Sequence, residues 1–227
     1  MKNQSDRFPK LIPVGESALL VQLADGIDLS INDRVYALDA WMGEAVASGV
    51  TQWVPGYASI LIHFDPLQTD VSAIQDWFQE RFHSCPSGAE RSLVQVKIPV
   101  RYGGMDGPDL VNVAKIHHLS PLEVVRLHTA PVYRVGMMGF TPGFAYLLGL
   151  DPALATARLE NPRTHVPAGS VGIAGEQTGV YPLDSPGGWQ LIGRTEATLY
   201  DPLQTPHFLL SPGDEVRFVI DEESVVQ

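Results

Sequence analysis

The chain has 227 residues, room for one large domain or two small ones, and its 44% hydrophobic and 18% charged composition is that of a globular protein able to bury a core. A net charge of −11 argues against nucleic acid and against an anionic membrane surface as partners, because both are bound through clustered Lys and Arg. The single cysteine, Cys85, rules out an intrachain disulfide and a thiolate metal site. No apolar run approaches the ~20 residues that cross a bilayer. The polar start Met1–Phe8 lacks a signal-peptide core, so the expected location is the cytoplasm.

In chain order, Ser17–Leu23 reads as a strand. Ser30 is the expected cap of a helix carrying Val35, Leu38, Trp41, Met42, Ala45 and Val46 at helical spacing, with Gly49 as its stop. Thr51–Val54 and Ser59–Phe64 read as strands around a Pro55-Gly56 turn. Asp70 starts a second helix, with Val71, Ile74, Trp77, Phe78 and Phe82 on one side, and Leu93–Ile98 reads as a fourth strand. This β-α-β-β-α-β order predicts a ferredoxin-like layer with Trp41 and Trp77 in its core. Ser84–Ser92 is polar with Pro and Gly and fits a junction, dividing an α+β domain at residues 1–90 from a second domain at 91–227. In the second domain, Pro108–His118 predicts a short helix, and Ser120-Pro-Leu-Glu123 combines the Ser cap, first-turn Pro and returning Glu of a strong helix start, for a helix ending near His128. From Tyr133 onward the pattern is short strands punctuated by Gly and Pro: 132–138, 170–174, 179–181, 190–194, 198–200 and 215–220. Such spacing predicts a barrel or sandwich.

Several catalytic motifs are missing. There is no phosphate loop of the Gly-x-x-x-x-Gly-Lys-Ser/Thr kind, and Gly136–Gly143 has the wrong glycine spacing for a dinucleotide fingerprint. Ser170 directly follows Gly169, so Ala168–Gly172 is not a nucleophile elbow. His117 and His118 are adjacent and point different ways, unlike ligands on one helical face, so no metal site is expected. What remains is a polar cleft with few cations. Arg163 and Arg194 can grip a carboxylate or phosphate, or equally hold loops through backbone carbonyls. His128 and His165 can transfer protons near neutral pH or serve as structural hydrogen-bonders. Ser170, Gln177, Thr178, Ser185 and Thr195 can orient amide or carboxylate groups. Phe140, Pro142, Tyr181 and Trp189 supply apolar walls, though Trp189 could equally plug the barrel. Gly187 and Gly188 allow close backbone approach, with free N–H groups for an anion, and Gly143 is an expected substrate contact.

Four ordered motifs carry a family resemblance: Gly139–Leu147, Asn161–Gly175, Gln177–Pro182 and Ser185–Thr195. Weaker matches lie upstream at Gly15, Asn32, Pro55–Ser59, Ile98–Val100, Tyr102–Gly104, Gly107–Leu110 and His128. The chain resembles the allophanate-hydrolase subunit 1 family, also called the carboxyltransferase C/D-subdomain or KipI-type family. The resemblance implies that the second domain is a cyclophilin-like β-barrel. It also implies a role inside an ATP-dependent complex that opens the stable lactam of 5-oxoproline to glutamate. Phosphorylating the lactam oxygen would there create an electrophile for water, with ATP bound mainly by two partner subunits, A and C. On this resemblance His128, Arg163 and Arg194 are the expected catalytic residues. Two other roles found in the family stay open: an inhibitor of a sensor histidine kinase, and half of a biotin-dependent carboxyltransferase acting on urea-like amides. The family's Pro-Arg-Arg is replaced here by Ala157-Arg158-Leu159, which removes one expected cation. The loop residues Phe140, Phe144 and Trp189 are expected to line one groove beside Gly187-Gly188, covered by a partner subunit.

Overall fold

The computed structural model describes residues 8–85 and 94–221. The chain divides into two compact units, Met1–Ser92 and Leu93–Gln227. Most of the polar start and of the junction predicted at Ser84–Ser92 lies outside the described residues.

In the first unit the elements run β1 (Lys10–Val14), β2 (Ala18–Gln22), α1 (Leu29–Gly43), β3 (Val50–Pro55), β4 (Ser59–Phe64) and α2 (Val71–Ser84). The four strands form an antiparallel sheet in the order β1-β2-β4-β3. Alternate residues of β4, Ile60, Ile62 and Phe64, are buried, as a half-covered strand requires. They pack with Leu19, Val35, Leu38, Ile74 and Phe78, and Trp41 and Trp77 lean on that core. Asp70 caps α2 through the Ala73 N–H. The cap of α1 is Asp28 rather than Ser30, because its carboxylate takes both the Ser30 and Ile31 N–H groups, at 2.8 and 3.2 Å. The sheet's fourth strand is β1, while the Leu93–Ile98 run belongs to the second unit. The unit therefore reads β-β-α-β-β-α, which differs from the predicted β-α-β-β-α-β. Pro13 hides β1 in the sequence, yet Pro is tolerated on an edge strand such as this one.

The second unit contains β5 (Gln95–Tyr102), α3 (Leu110–Ile116), α4 (Pro121–Thr129), β6 (Tyr133–Met138), β7 (Ala145–Leu148), β8 (Arg163–Val166), β9 (Ser170–Ala174), β10 (Gln177–Val180), β11 (Ser185–Gly187), β12 (Gln190–Arg194) and β13 (Glu215–Ile220). Seven of these strands close into a barrel in the order β10-β7-β6-β13-β5-β12-β9, and β8 pairs with β11 in a separate ribbon. The barrel is filled by Ile98, Val100, Val135, Leu147, Val171, Ile173, Ile192, Val216 and Phe218, with Val124 and Val125 of α4 packed among them. The capping box that starts α4 is complete: the Glu123 N–H donates to Ser120 Oγ at 3.2 Å, and the Ser120 N–H donates to Glu123 Oε2 at 2.7 Å. The strand predicted at 198–200 reduces to one bridge, Tyr200↔Phe208. Among the described residues no helix is long and apolar enough to cross a membrane.

Candidate functional site

The Gly139–Phe144 motif is the tip of the β6–β7 hairpin. Three backbone bonds pin it: Gly139 N–H to Phe144 O at 3.1 Å, Phe144 N–H to Thr141 O at 3.0 Å, and Thr141 N–H to Gly139 O at 3.0 Å. The last closes a γ-turn around Phe140, whose φ is +71°. A non-glycine residue held there costs about 1–3 kcal/mol. His118, also at positive φ, ends α3 in the left-handed conformation usual at helix C-termini; Phe140 has no such role. Its ring is 59% exposed and stands edge-on to Phe144 and Tyr181, with centroids at 5.6 and 6.3 Å. Beside it opens a cavity of about 540 Å³ between the hairpin tip and residues 208–212, walled by Met138, Phe140, Pro142, Phe208, Leu210 and Pro212. None of its ten lining residues carries a charge. Gly143, at φ +84°, brings the loop so close to Tyr200 that an added Cβ would sit 2.7 Å from the tyrosine Cβ.

A second aromatic cluster is buried apart from the barrel core: Phe144, Tyr181 and Trp189 with Val166 and Leu191, and Tyr146 at its margin. Phe144 and Trp189, expected beside Phe140 in an open groove, are only 1% and 5% exposed. Glycines make room for them. A Cβ on Gly179 would lie 3.3 Å from both rings, and one on Gly172, its cross-strand neighbour, 3.0 Å from Trp189. Gly187 likewise makes way for Tyr181, whose hydroxyl would lie 2.4 Å from an added Cβ. Burial raises the pKa of that hydroxyl, opposed by the Trp189 backbone and by Arg158 and Arg163. At Gly187-Gly188, expected to face an anion through free N–H groups, Gly187 accommodates a ring, and the Gly188 carbonyl accepts the Leu159 N–H at 2.7 Å.

His128, expected at the cleft as a proton relay, lies fully buried inside the barrel unit, stacked on Phe218. The Tyr102 hydroxyl sits 2.8 Å from Nδ1, and Thr178 Oγ1 sits 2.9 Å from Nε2. Thr178 passes its own proton to the Gly172 carbonyl, at 2.9 Å. This fixes the directions: Tyr102 donates to Nδ1, and Nε2–H donates to Thr178. Burial pushes the imidazole down to about 3, so it stays neutral, and Thr178 belongs to this interior chain rather than to a binding surface. Arg163 donates to Asp109 Oδ1 at 2.7 Å and to the Trp189 carbonyl at 3.3 Å, while Asp109 Oδ2 accepts the Leu191 N–H at 2.7 Å. It therefore ties β12 to the start of α3. Asp109 escapes detection in the sequence because it looks like a helix cap, yet its side chain makes no cap bond.

Arg194 donates through Nε to the Ala168 carbonyl at 3.0 Å, and its two terminal nitrogens have no partner among the described residues. It pairs across the strands with Arg101, which Asp106 and Glu196 neutralise at 3.0 and 2.8 Å. Ser170 and Thr195 are buried nearby. Ser170's carbonyl accepts the Tyr181 N–H at 2.9 Å, and Thr195 Oγ1 accepts the Ala197 N–H at 3.1 Å. His165 is exposed, 4.0 Å from Asp184. In the second unit four buried polar atoms lack partners among the described residues: Thr141 Oγ1, Gln177 Nε2, Ser185 Oγ and Gln190 Oε1, and such atoms call for an explanation beyond folding. No group of three or more His, Cys, Asp or Glu side chains converges as metal ligands among the described residues. The surface offers an apolar wall and the Arg194 cation.

The chain belongs to the family of carboxyltransferase domains, subdomain C and D, whose pattern matches residues 9–210. It is 52% identical over 217 residues to the 5-oxoprolinase B-subunit of Haemophilus influenzae, covering 93% of this chain and 97% of that one. To the 5-oxoprolinase B-subunit of Bacillus subtilis it is 40% identical over 216 residues, covering 91% and 90%. Its fold matches the crystal structure of TTHA0988 with a TM-score of 0.80 at 38% identity over 90% of this chain, which spans 40% of that longer chain.

Proposed function

We propose that this chain is the B-subunit of an ATP-dependent 5-oxoprolinase, acting in the cytoplasm with 5-oxoprolinase subunits A and C to open 5-oxoproline to glutamate. The observation that carries this reading is the end-to-end similarity to 5-oxoprolinase B-subunits. The barrel is taken as the cyclophilin-like type that the family resemblance implies. The cavity beside Phe140 has an uncharged lining, and a triphosphate needs clustered cations or a phosphate loop. The nucleotide is therefore assigned to a partner subunit. This chain supplies one wall of a composite cleft. Arg194, whose two terminal nitrogens have no partner among the described residues, orients the substrate carboxylate by a forked contact. Arg163 holds that wall rigid from behind, and His128 positions Thr178 and β10 from the interior rather than moving protons at the substrate.

The test is co-expression with subunits A and C. The three chains are expected to elute together and to release glutamate from 5-oxoproline when ATP is added. If this chain elutes alone, and the others are active without it, the reading fails.

A further inference from the structure

We infer that Asp184 is a positioning residue for Arg194: its carboxylate holds the turn at residues 167–170 whose carbonyl aims the guanidinium. This deepens the 5-oxoprolinase reading, in which Arg194 orients the substrate carboxylate, and rests on it. Arg194 ends β12 and donates through Nε to the Ala168 carbonyl at 3.0 Å. That bond occupies one edge of the planar guanidinium and leaves the two terminal nitrogens as a fork. Where the fork points is therefore set by where the Ala168 carbonyl points.

The carbonyl is aimed by the turn. The Ser170 N–H donates to the Pro167 carbonyl at 3.2 Å, and Gly169 has φ +82°, the pattern of a type II turn with glycine in third place. Types I and II differ by a flip of the middle peptide, which here would turn the Ala168 carbonyl away from Arg194. Backbone bonds fix the Gly169 side: its N–H donates to the Tyr181 carbonyl at 2.7 Å, and its carbonyl accepts the Thr195 N–H at 2.9 Å. The Ala168 side is fixed by a side chain. Asp184 Oδ1 accepts the Ala168 N–H at 2.7 Å, a short charge-assisted bond. Asp184 Oδ2 is 4.0 Å from His165 Nε2, beyond hydrogen-bond reach, so the carboxylate is not drawn off the turn. The Asp184 side chain is 64% exposed and fills no core; its contribution here is the bond to Ala168. Charge alone predicts the opposite effect on binding. An acid close to Arg194 offsets its positive charge, so removing that acid would tighten the grip on a carboxylate, whereas losing the position loosens it.

The experiment compares the wild type with four variants. Asp184→Ala and the near-isosteric Asp184→Leu remove the acceptor. Asp184→Asn keeps an acceptor oxygen without the charge. Asp151→Ala removes a matched bond, to the Ala153 N–H, elsewhere in the same unit. Melting curves check that each variant folds. The first arm follows hydrogen exchange of the Arg194 Nε–H by NMR on the isolated chain, with the signal assigned by its loss in Arg194→Lys. Arg101, bonded through its own Nε to Asp106, is the internal reference. Exchange at Arg194 is expected to be about tenfold faster or more in the two truncations, and unchanged in Asp184→Asn and Asp151→Ala. The second arm measures glutamate release by the complex reconstituted with subunits A and C. In the truncations KM for 5-oxoproline is expected to rise about fivefold or more while kcat stays within about twofold, and Asp184→Asn should match the wild type. Unchanged exchange in the folded truncations overturns the inference. A KM that falls marks charge rather than position and overturns it too. Faster exchange with an unchanged KM upholds the positioning and removes the carboxylate role of Arg194. A wild-type complex that releases no glutamate overturns the 5-oxoprolinase reading, and the exchange arm still decides the inference.

Discussion

The buried imidazole of His128 makes a quantitative statement about stability against pH. In the unfolded chain a histidine titrates near 6.5; in the folded barrel, burial pushes it down to about 3. Between those values the unfolded state binds a proton that the folded state refuses. The stability tied to this group is therefore fully present above pH 6.5 and is lost as pH falls toward 3. Well inside that window each pH unit costs about 1.4 kcal/mol, so moving from pH 6.5 to 4.5 removes about 2.3 kcal/mol through this residue alone. His128→Gln isolates the effect. Its amide carries an acceptor and a donor, as the neutral ring does, but it does not titrate. At pH 7 the variant is expected to be less stable by about 1–3 kcal/mol, because a planar amide cannot match both bonds. Urea unfolding at several pH values then gives two curves, and titrating carboxylates shared by both proteins cancel in their difference. The wild type should lose about 1.4 kcal/mol more per pH unit below 6.5 than the variant. Parallel curves would refute the buried, neutral assignment.

Asp109→Ala removes the acceptor for both Arg163 and the Leu191 N–H and is expected to cost about 1–3 kcal/mol for each group left unpaired, read from the urea midpoint. Arg194→Ala gives up one bond to the Ala168 carbonyl, about 1 kcal/mol; it is expected to abolish glutamate release by the reconstituted complex while the melting curve stays cooperative, and full activity would make Arg194 structural. The isolated chain is expected to bind no ATP in calorimetry, and micromolar binding would contradict the assignment of the nucleotide to a partner.

Much of the fold could be read from local chemistry. The capping box at Ser120, the β4 alternation and the strands at 170–174 and 190–194 are local patterns, and each stands where it was expected. What escaped was long-range. Lys10–Val14 becomes a strand only because β2 offers it an edge, and residues 95–98 of the 93–98 run join a parallel partner, β13, far along the chain. The short strands β7, β8 and β11 hide among glycines and prolines whose role is to let backbone and aromatic rings approach. The site was legible as a segment but not as a surface. Phe140, Phe144 and Trp189 look alike in sequence; which one faces water depends on Gly172 and Gly179 lying beneath the other two. His128 carries no sign of burial in its neighbours, and Asp109 resembles an ordinary cap.

The central claim is that this chain is an obligatory subunit of a 5-oxoprolinase. The most direct measurement mixes purified subunits A and C with 5-oxoproline and ATP, with and without this chain, and follows glutamate and ADP together. Glutamate and ADP should appear in step only when all three chains and ATP are present. Equal glutamate release without this chain, or release that does not need ATP, would contradict the claim.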